Sequence, residues 1–473
     1  MLNSETQQDS HSTENDDTST SKRSIFLYTI FGLCIFFKPG DPYLWENCTT
    51  NSTISGNTSN FTSNSTYTPL GKGISEQDTI TFIIPFYYVT NLILATPVYL
   101  LVSKYNLLKQ CQILQAIAAL LGALLFATNS FITNYTARLV ETLFGEIGFA
   151  AALALEPGYF SYIYSLYTSS KAESATAKAR KIYDFSNGIG CLCGYFILFI
   201  WDADYVDLFK VQAGFALVAL VVATMLPDLM KKSPRNVEKA ENEDKNAEKT
   251  KNLSFYDFSI KLFHAYKTTK PDLSVLSIGV LYSTVLSIGY SPWLWMTHSA
   301  YADIPTKFNG IVFAVSWLLS SFIVSVYEKF AGEKYSKTHN ILAQIGTVVF
   351  CLCTTVSVLI VDRFSIWVLY GVYVIYLSIG QYLLTVFYSE INKQLEVMRK
   401  TSDRSDGKSD GEINYFQAIY GFNQFLAFLV SVIMIYVVAP VFETNFEVSA
   451  TIFLFYSSTV VVGVSFLVSL VLK

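Results

Sequence analysis

The sequence predicts an all-α membrane protein with twelve transmembrane helices in two six-helix halves, and three observations carry the prediction. Of the 473 residues, 52% are hydrophobic and only 15% charged, whereas soluble domains carry about 25% charged residues. A sliding window of about 19 residues finds apolar segments near 24–45, 79–103, 110–129, 136–166, 182–201, 207–227, 272–297, 308–328, 339–361, 365–389, 414–437 and 449–472. Between the sixth and the seventh lies the longest charged interruption, KKSPRNVEKAENEDKNAEKTKN at 231–252, which cannot bury enough apolar surface to fold and reads as a linker. The chain thus divides into a disordered cytoplasmic tail (1–23), a first half (24–227) with an outer loop at 46–78, a cytoplasmic linker (228–270) and a second half (271–473).

The tail is polar, acidic and rich in Ser and Thr, without the basic start and small-residue cleavage site of a signal peptide. In span one the apolar run Ile25–Phe37 meets Lys38, Pro39, Gly40, Asp41 and Pro42 before it reaches the roughly 20 residues a crossing helix needs. Counting through Trp45 makes the segment long enough and puts Lys38 and Asp41 at membrane depth. Charges there cost about 2.5–3.5 kcal/mol each and mark pathways or internal pairs. The prolines also free backbone groups that only protein or a wet cavity can satisfy. The break is therefore expected to face inward, with Asp41 and Lys38 as candidate substrate or gating groups.

Asn47, Asn51, Asn57, Asn60 and Asn64 begin Asn-X-Ser/Thr sequons between spans one and two, and Asn134 begins another between spans three and four. Glycosylation acceptors belong outside. All Lys and Arg other than Lys38, Lys72, Arg138, Lys210, Lys307 and Arg363 then fall on the inner side, as the positive-inside rule asks. Both termini are expected in the cytoplasm of a plasma-membrane protein, and the sequon at Asn252 is expected to be unused.

Span four, RLVETLFGEIGFAAALALEPGYFSYIYS, carries Glu141 near its outer end, then Glu146, then Glu156 deep in an apolar helix beside Pro157, Gly158 and Tyr159. Glu156 is the candidate substrate carboxylate of this span, with Glu146 a second. Asp184 follows Lys178, Arg180 and Lys181 near the inner end of span five, where an inner salt bridge is expected. Deep residues of the second half are nearly all neutral: Tyr290, Trp293, Trp295, Asn309, Gln381, Asn423 and Gln424, with His298 at a helix end. Most of them read as helix–helix hydrogen bonds or lipid-facing aromatics.

Several classes are disfavoured. The seven cysteines suggest no disulfide framework, and the pairs Cys191/Cys193 and Cys351/Cys353 lack the further His or Cys a metal site needs, so no metal or cofactor is expected. No nucleophile, base and orienter cluster marks an enzyme, and no nucleic-acid footprint is visible. A non-transporting receptor would leave the buried carboxylates unexplained. Six and six spans around a charged linker suggest the major facilitator architecture, with a substrate site near the midplane between halves. Carboxylates and aromatics without a deep paired base suit a cationic or neutral heteroaromatic solute and not a dianion.

The motifs FFKPGDPYL in span one, EPGYFSYIYS in span four, KFNGIVFA in span eight and YFQAIYGFNQF in span eleven, with Pro85 and Pro97 in span two, resemble solute carrier family 19, the reduced folate carriers and thiamine transporters. The resemblance runs in order from about residue 25 to 440, and the span-four motif is its most specific piece. It implies a vitamin carrier working by alternating access. In the thiamine branch the matching positions hold the vitamin, and here they are Asp41, Glu156, Tyr87 and Tyr159. Asp41 is a methylene shorter than the usual Glu, and Tyr87 stands where a Trp is usual. The three basic residues of the folate branch align with Thr168, Leu377 and Ser431, none of them a cation. Other departures are Ser103 for an Asp, Phe313 for an acidic residue, and Pro157-Gly158 for small apolar residues. The expectation is a thiamine or related heteroaromatic cation as substrate, with proton coupling through a carboxylate as a partner process. A folate or organic-anion exchanger is the alternative.

Overall fold

A computed structural model describes residues 8–43, 83–105, 107–129, 132, 134–166, 172–228 and 308–329, single residues 256 and 260, and parts of 367–389 and 424–432. The sequons at Asn47 to Asn64, the charged linker, spans seven, nine and twelve, and the positions Thr168 and Ser431 lie outside the described residues.

The long described elements are helices: α1 (Gln8–Ile35), α2 (Ile84–Tyr105), α3 (Leu108–Thr128), α4 (Tyr135–Ala154), α5 (Glu156–Leu166), α6 (Ala172–Ile200), α7 (Tyr205–Met225) and α8 (Phe308–Lys329). Among the described residues, α3, α6 from Ser174, α7 and α8 are long and apolar enough to cross a membrane. α6 starts ten residues before the window placed span five. Its first turns, AESATAKARK, are charged but rich in strong helix formers, so the helix continues past the apolar stretch. α1 likewise reaches back to Gln8, into the polar stretch before span one.

α1 stops at Ile35, ahead of Lys38. Its end tightens, with Phe36 N–H on Gly32 O at 3.2 Å and Phe37 N–H on Cys34 O at 3.3 Å, before a short 3-10 turn at Asp41–Tyr43. The irregular backbone between them is enclosed by protein, as exposed polar backbone at this depth would require. Gly190 and Gly194, one turn apart on α6, leave room for the Lys38 and Pro39 backbone, which a Cβ at either glycine would strike. Gly40 N–H points at Gln212 Oε1 of α7, 3.4 Å away.

A second break separates α4 from α5. Pro157 has no N–H to give the helix ladder, and Leu155 turns the chain. The Leu155 carbonyl accepts from Gly158 N–H at 3.0 Å and from the Cys111 thiol of α3 at 3.4 Å. Gly158 itself touches Cys111, so only a residue without a side chain fits there. The break is thus paid in hydrogen bonds by α3.

α3 packs on α4 and α7, α1 on α6 and α7, α2 on α4, and α6 on α8. An aromatic core joins them. Tyr28 of α1 stacks on Tyr159 of α5 with ring centres 4.4 Å apart, and Phe36 meets the Tyr159 ring edge-on at 4.9 Å. α6 and α8 come from opposite sides of the charged linker, and their seam is polar. Lys181 Nζ lies 2.7 Å from Glu328 Oε2, Ser321 donates to the Lys181 carbonyl at 3.3 Å, and Ser320 donates to Asp184 Oδ2. Farther along, Tyr99 of α2 donates to Gln424 at 2.9 Å, and the Tyr43 hydroxyl sits against Gly310 of α8.

Candidate functional site

The two breaks meet around one small cavity. Lys38 from the end of span one, Gln115 of α3, Glu156 at the start of α5 and Gln212 of α7 supply its polar lining, and Phe36 and Phe149 are among its walls. Its volume is about 30 Å³, well below the roughly 300–1,000 Å³ of a small-molecule pocket. Gln115 is almost fully buried with no hydrogen-bond partner for its Oε1. An unsatisfied buried amide is costly, and this one favours a polar occupant, such as a water, beside Glu156.

Lys38 stands between two carboxylates. Its Nζ is 3.5 Å from Asp41 Oδ2, with the side chains 31% and 33% exposed, and its charge also acts on Glu156. Glu146, 3% exposed on α4, feels Asp41, and Tyr87 and Tyr88 of α2 feel Glu146 in turn. The Tyr87 and Tyr88 rings meet edge-on at 5.5 Å.

Tyr159 is not beside Glu156 in the cavity wall. It is fully buried between Tyr28 and Phe36, with its hydroxyl directed at Gly32. Of the residues read from the sequence, Lys38 and Glu156 line the cavity, Asp41 pairs with Lys38, and Tyr159 lies in the aromatic core. Asn134 is exposed and caps α4, its side chain accepting from Ala137 N–H at 3.1 Å. Leu377 is buried among apolar residues, and Phe313 packs on Tyr373 with ring centres 5.2 Å apart.

Asp184 departs from expectation. What it meets is Ser320 of α8, and its other oxygen has no hydrogen-bond partner. The ion pair of this region runs instead from Lys181 to Glu328, because the side chains of Lys181 and Asp184 turn to different parts of α8. Two residues gain importance that sequence reasoning did not assign them, Gln115 and Gln212 at the cavity. Arg180, which with Lys38 is one of the two cations the sequence offers an anionic passenger, is 3% exposed, and its charge acts on both Glu156 and Asp184. The signal for the glutamines was present, since polar residues in apolar spans three and six are as anomalous as carboxylates in span four.

Solved structures with the same fold define the class. The chain matches the transporter FucP in its outward conformation (TM-score 0.56, 12% identity, 95% of this chain and 99% of that one). It matches the proton:xylose symporter XylE equally well (TM-score 0.58, 12% identity, 95% of each chain), and the human organic anion transporter MFSD10 (TM-score 0.57, 13% identity, 95% and 99%). This is an all-α membrane protein of the major facilitator fold.

Its place within that class comes from the sequence. Residues 20–455 match the reduced folate carrier family model, and the chain belongs to that family. It is similar to human thiamine transporter 1, at 22% identity over 446 residues that cover 84% of this chain and 83% of the relative.

Proposed function

We propose that the protein is a plasma-membrane carrier for thiamine or a related heteroaromatic cation, working by rocking of its two halves around a central site. The observation that carries this reading is Glu156, a carboxylate set by a proline break against an internal cavity in the first half. Among the described residues, Asp41, Glu146 and Glu156 outnumber Lys38 and Arg180 in this region, which favours a positive passenger. In the loaded carrier Glu156 and Asp41 counter the ring charge, and Tyr87 and Tyr159 offer aromatic faces, each such contact contributing about 0.5–2 kcal/mol. Because Tyr159 is packed in the core and the cavity is small, loading requires the aromatic core to open. The termini and linker are cytoplasmic in this reading, and Asn134 and the first outer loop carry glycans. Either carboxylate can exchange a proton during the cycle; initial rates that do not respond to an imposed pH gradient would remove that part.

Replacing Glu156 by Gln in a vesicle uptake assay tests the assignment. Saturable thiamine uptake is expected to fall by about tenfold or more, in line with removal of a charge-assisted contact; undiminished uptake rules the role out.

A second reading, an organic-anion exchanger, is favoured by one observation: Lys38 lines the cavity. Its partner Asp41 offsets that charge. Competition of labelled thiamine uptake by folate against pyridoxine separates the two readings.

A further inference from the structure

Arg180 of α6 is enclosed by aromatic rings. Its guanidinium carbon lies 5.0 Å from the ring centre of Phe160, 5.0 Å from Tyr183 and 4.9 Å from Tyr388. Phe160 belongs to α5 and Tyr183 to α6, whereas Tyr388 lies beyond α8, across the charged linker. The cage is therefore complete only when the two sides of the chain meet, and Phe160 and Tyr388 also pack on each other at 5.8 Å. Guanidinium is planar, delocalised and weakly hydrated, the kind of cation that stacks on aromatic faces. A heteroaromatic ring cation shares the plane and the charge.

The cage adjoins the cavity. Phe36, which lines the Glu156 cavity, packs on the Tyr183 ring with centres 4.4 Å apart. Among the described residues, Arg180 acts on the carboxylates of Glu156 from α5 and Asp184 one turn along α6. The neighbouring cation Lys181 is engaged by Glu328 of α8. Asp184 is fully buried, and its Oδ1 has no hydrogen-bond partner, an acceptor within reach of an arginine four residues before it on the same helix face.

We propose that Phe160, Tyr183 and Tyr388 form a second site for planar organic cations beside Glu156, and that Arg180 fills it as a tethered stand-in when the carrier moves empty. The proposal rests on the reading that the passenger is a cation. Closing the seam on an empty cage would leave its aromatic faces without a cation and Glu156 with only a share of Lys38 in a low-dielectric interior. Arg180 supplies the missing charge. When the passenger moves from the first site beside Glu156 into the cage, Arg180 turns to the Oδ1 of Asp184. Loaded movements then depend little on Arg180, and the empty return depends on it strongly.

Proteoliposomes carrying the full chain with Arg180→Ala test this. The ratio of net uptake into substrate-free vesicles to exchange against internal substrate is expected to fall by about tenfold or more, the loss expected for a desolvated cation–aromatic cluster. Millimolar free guanidinium is expected to raise the ratio again, whereas urea, its uncharged counterpart in shape, is expected not to. An unchanged ratio, or equal recovery with urea, overturns the proposal. Should Arg180→Ala fail to reach the membrane, Tyr388→Leu is expected to lower the ratio several-fold more than Tyr388→Phe, which keeps the aromatic face; equal effects overturn it. Wild-type uptake of thiamine and of folate, measured in the same vesicles, reports on the cation reading separately, because it does not depend on either variant.

Discussion

Lys38 and Asp41 show how a single pair decides what a site accepts. They lie 3.5 Å apart and about a third exposed, where an ion pair contributes at most about 1 kcal/mol to stability. Their effect on a charged passenger is larger, since Lys38 also acts on Glu156. Lys38→Gln is expected to lower the KM of a cationic passenger by about three- to tenfold, the change that removing one like charge at an effective dielectric near 20 allows. A raised KM for that cation, or a lowered one for folate, would contradict the assigned charge preference. Asn134 is a separate case. Its Oδ1 caps α4, which leaves the cap intact if a glycan sits on the amide nitrogen. Asn134→Gln is expected to cost about 1 kcal/mol of stability through the lost cap and to remove one glycan from the mass of the protein made in cells.

At the scale of elements, the site is made by two helices that fail to continue. The motif around Pro39 and Pro42 ends α1 early, and Pro157 divides span four, so Lys38 and Glu156 come to one cavity from irregular backbone. Each break needs an accommodating neighbour. Gly190 and Gly194 of α6 give the first one space, and the Cys111 thiol of α3 satisfies a carbonyl at the second. Gly194→Leu places a branched side chain against the Pro39 carbonyl and is expected to destabilise the protein by about 1–3 kcal/mol, the usual cost of overpacking. Thermal unfolding in detergent reads this, and an unchanged midpoint would show that the break can move aside. Spans three, six and eight were legible to within two residues because a long apolar run dominates each. Span five began ten residues earlier than the window indicated, since its inner turns are helical by propensity and apolarity cannot see them.

In the whole molecule, α6 and α8 form a polar seam between parts of the chain on either side of the linker. Lys181 and Glu328, Asp184 and Ser320, and the cage around Arg180 lie within a few turns of one another. Lys181→Glu sets two carboxylates against each other and is expected to cut net uptake several-fold, while adding Glu328→Lys restores most of it, with a coupling of about 1 kcal/mol for so exposed a pair. A double variant no better than the single one would remove this pair from the closing step. The sequence by itself determined the membrane class, the positions of spans three, six and eight, the family and the two places where helices break, because hydropathy, proline and buried charge are local and each is costly in lipid. It also singled out Asp41 and Glu156, since an ionisable residue deep in an apolar run is anomalous wherever it lies. Only the tertiary structure decided the partners: Lys38 beside both carboxylates, Tyr159 inside the aromatic core, Asp184 on Ser320 and Arg180 among three rings. Those outcomes depend on which helix faces meet, and residues far apart along the chain leave no local trace of that meeting.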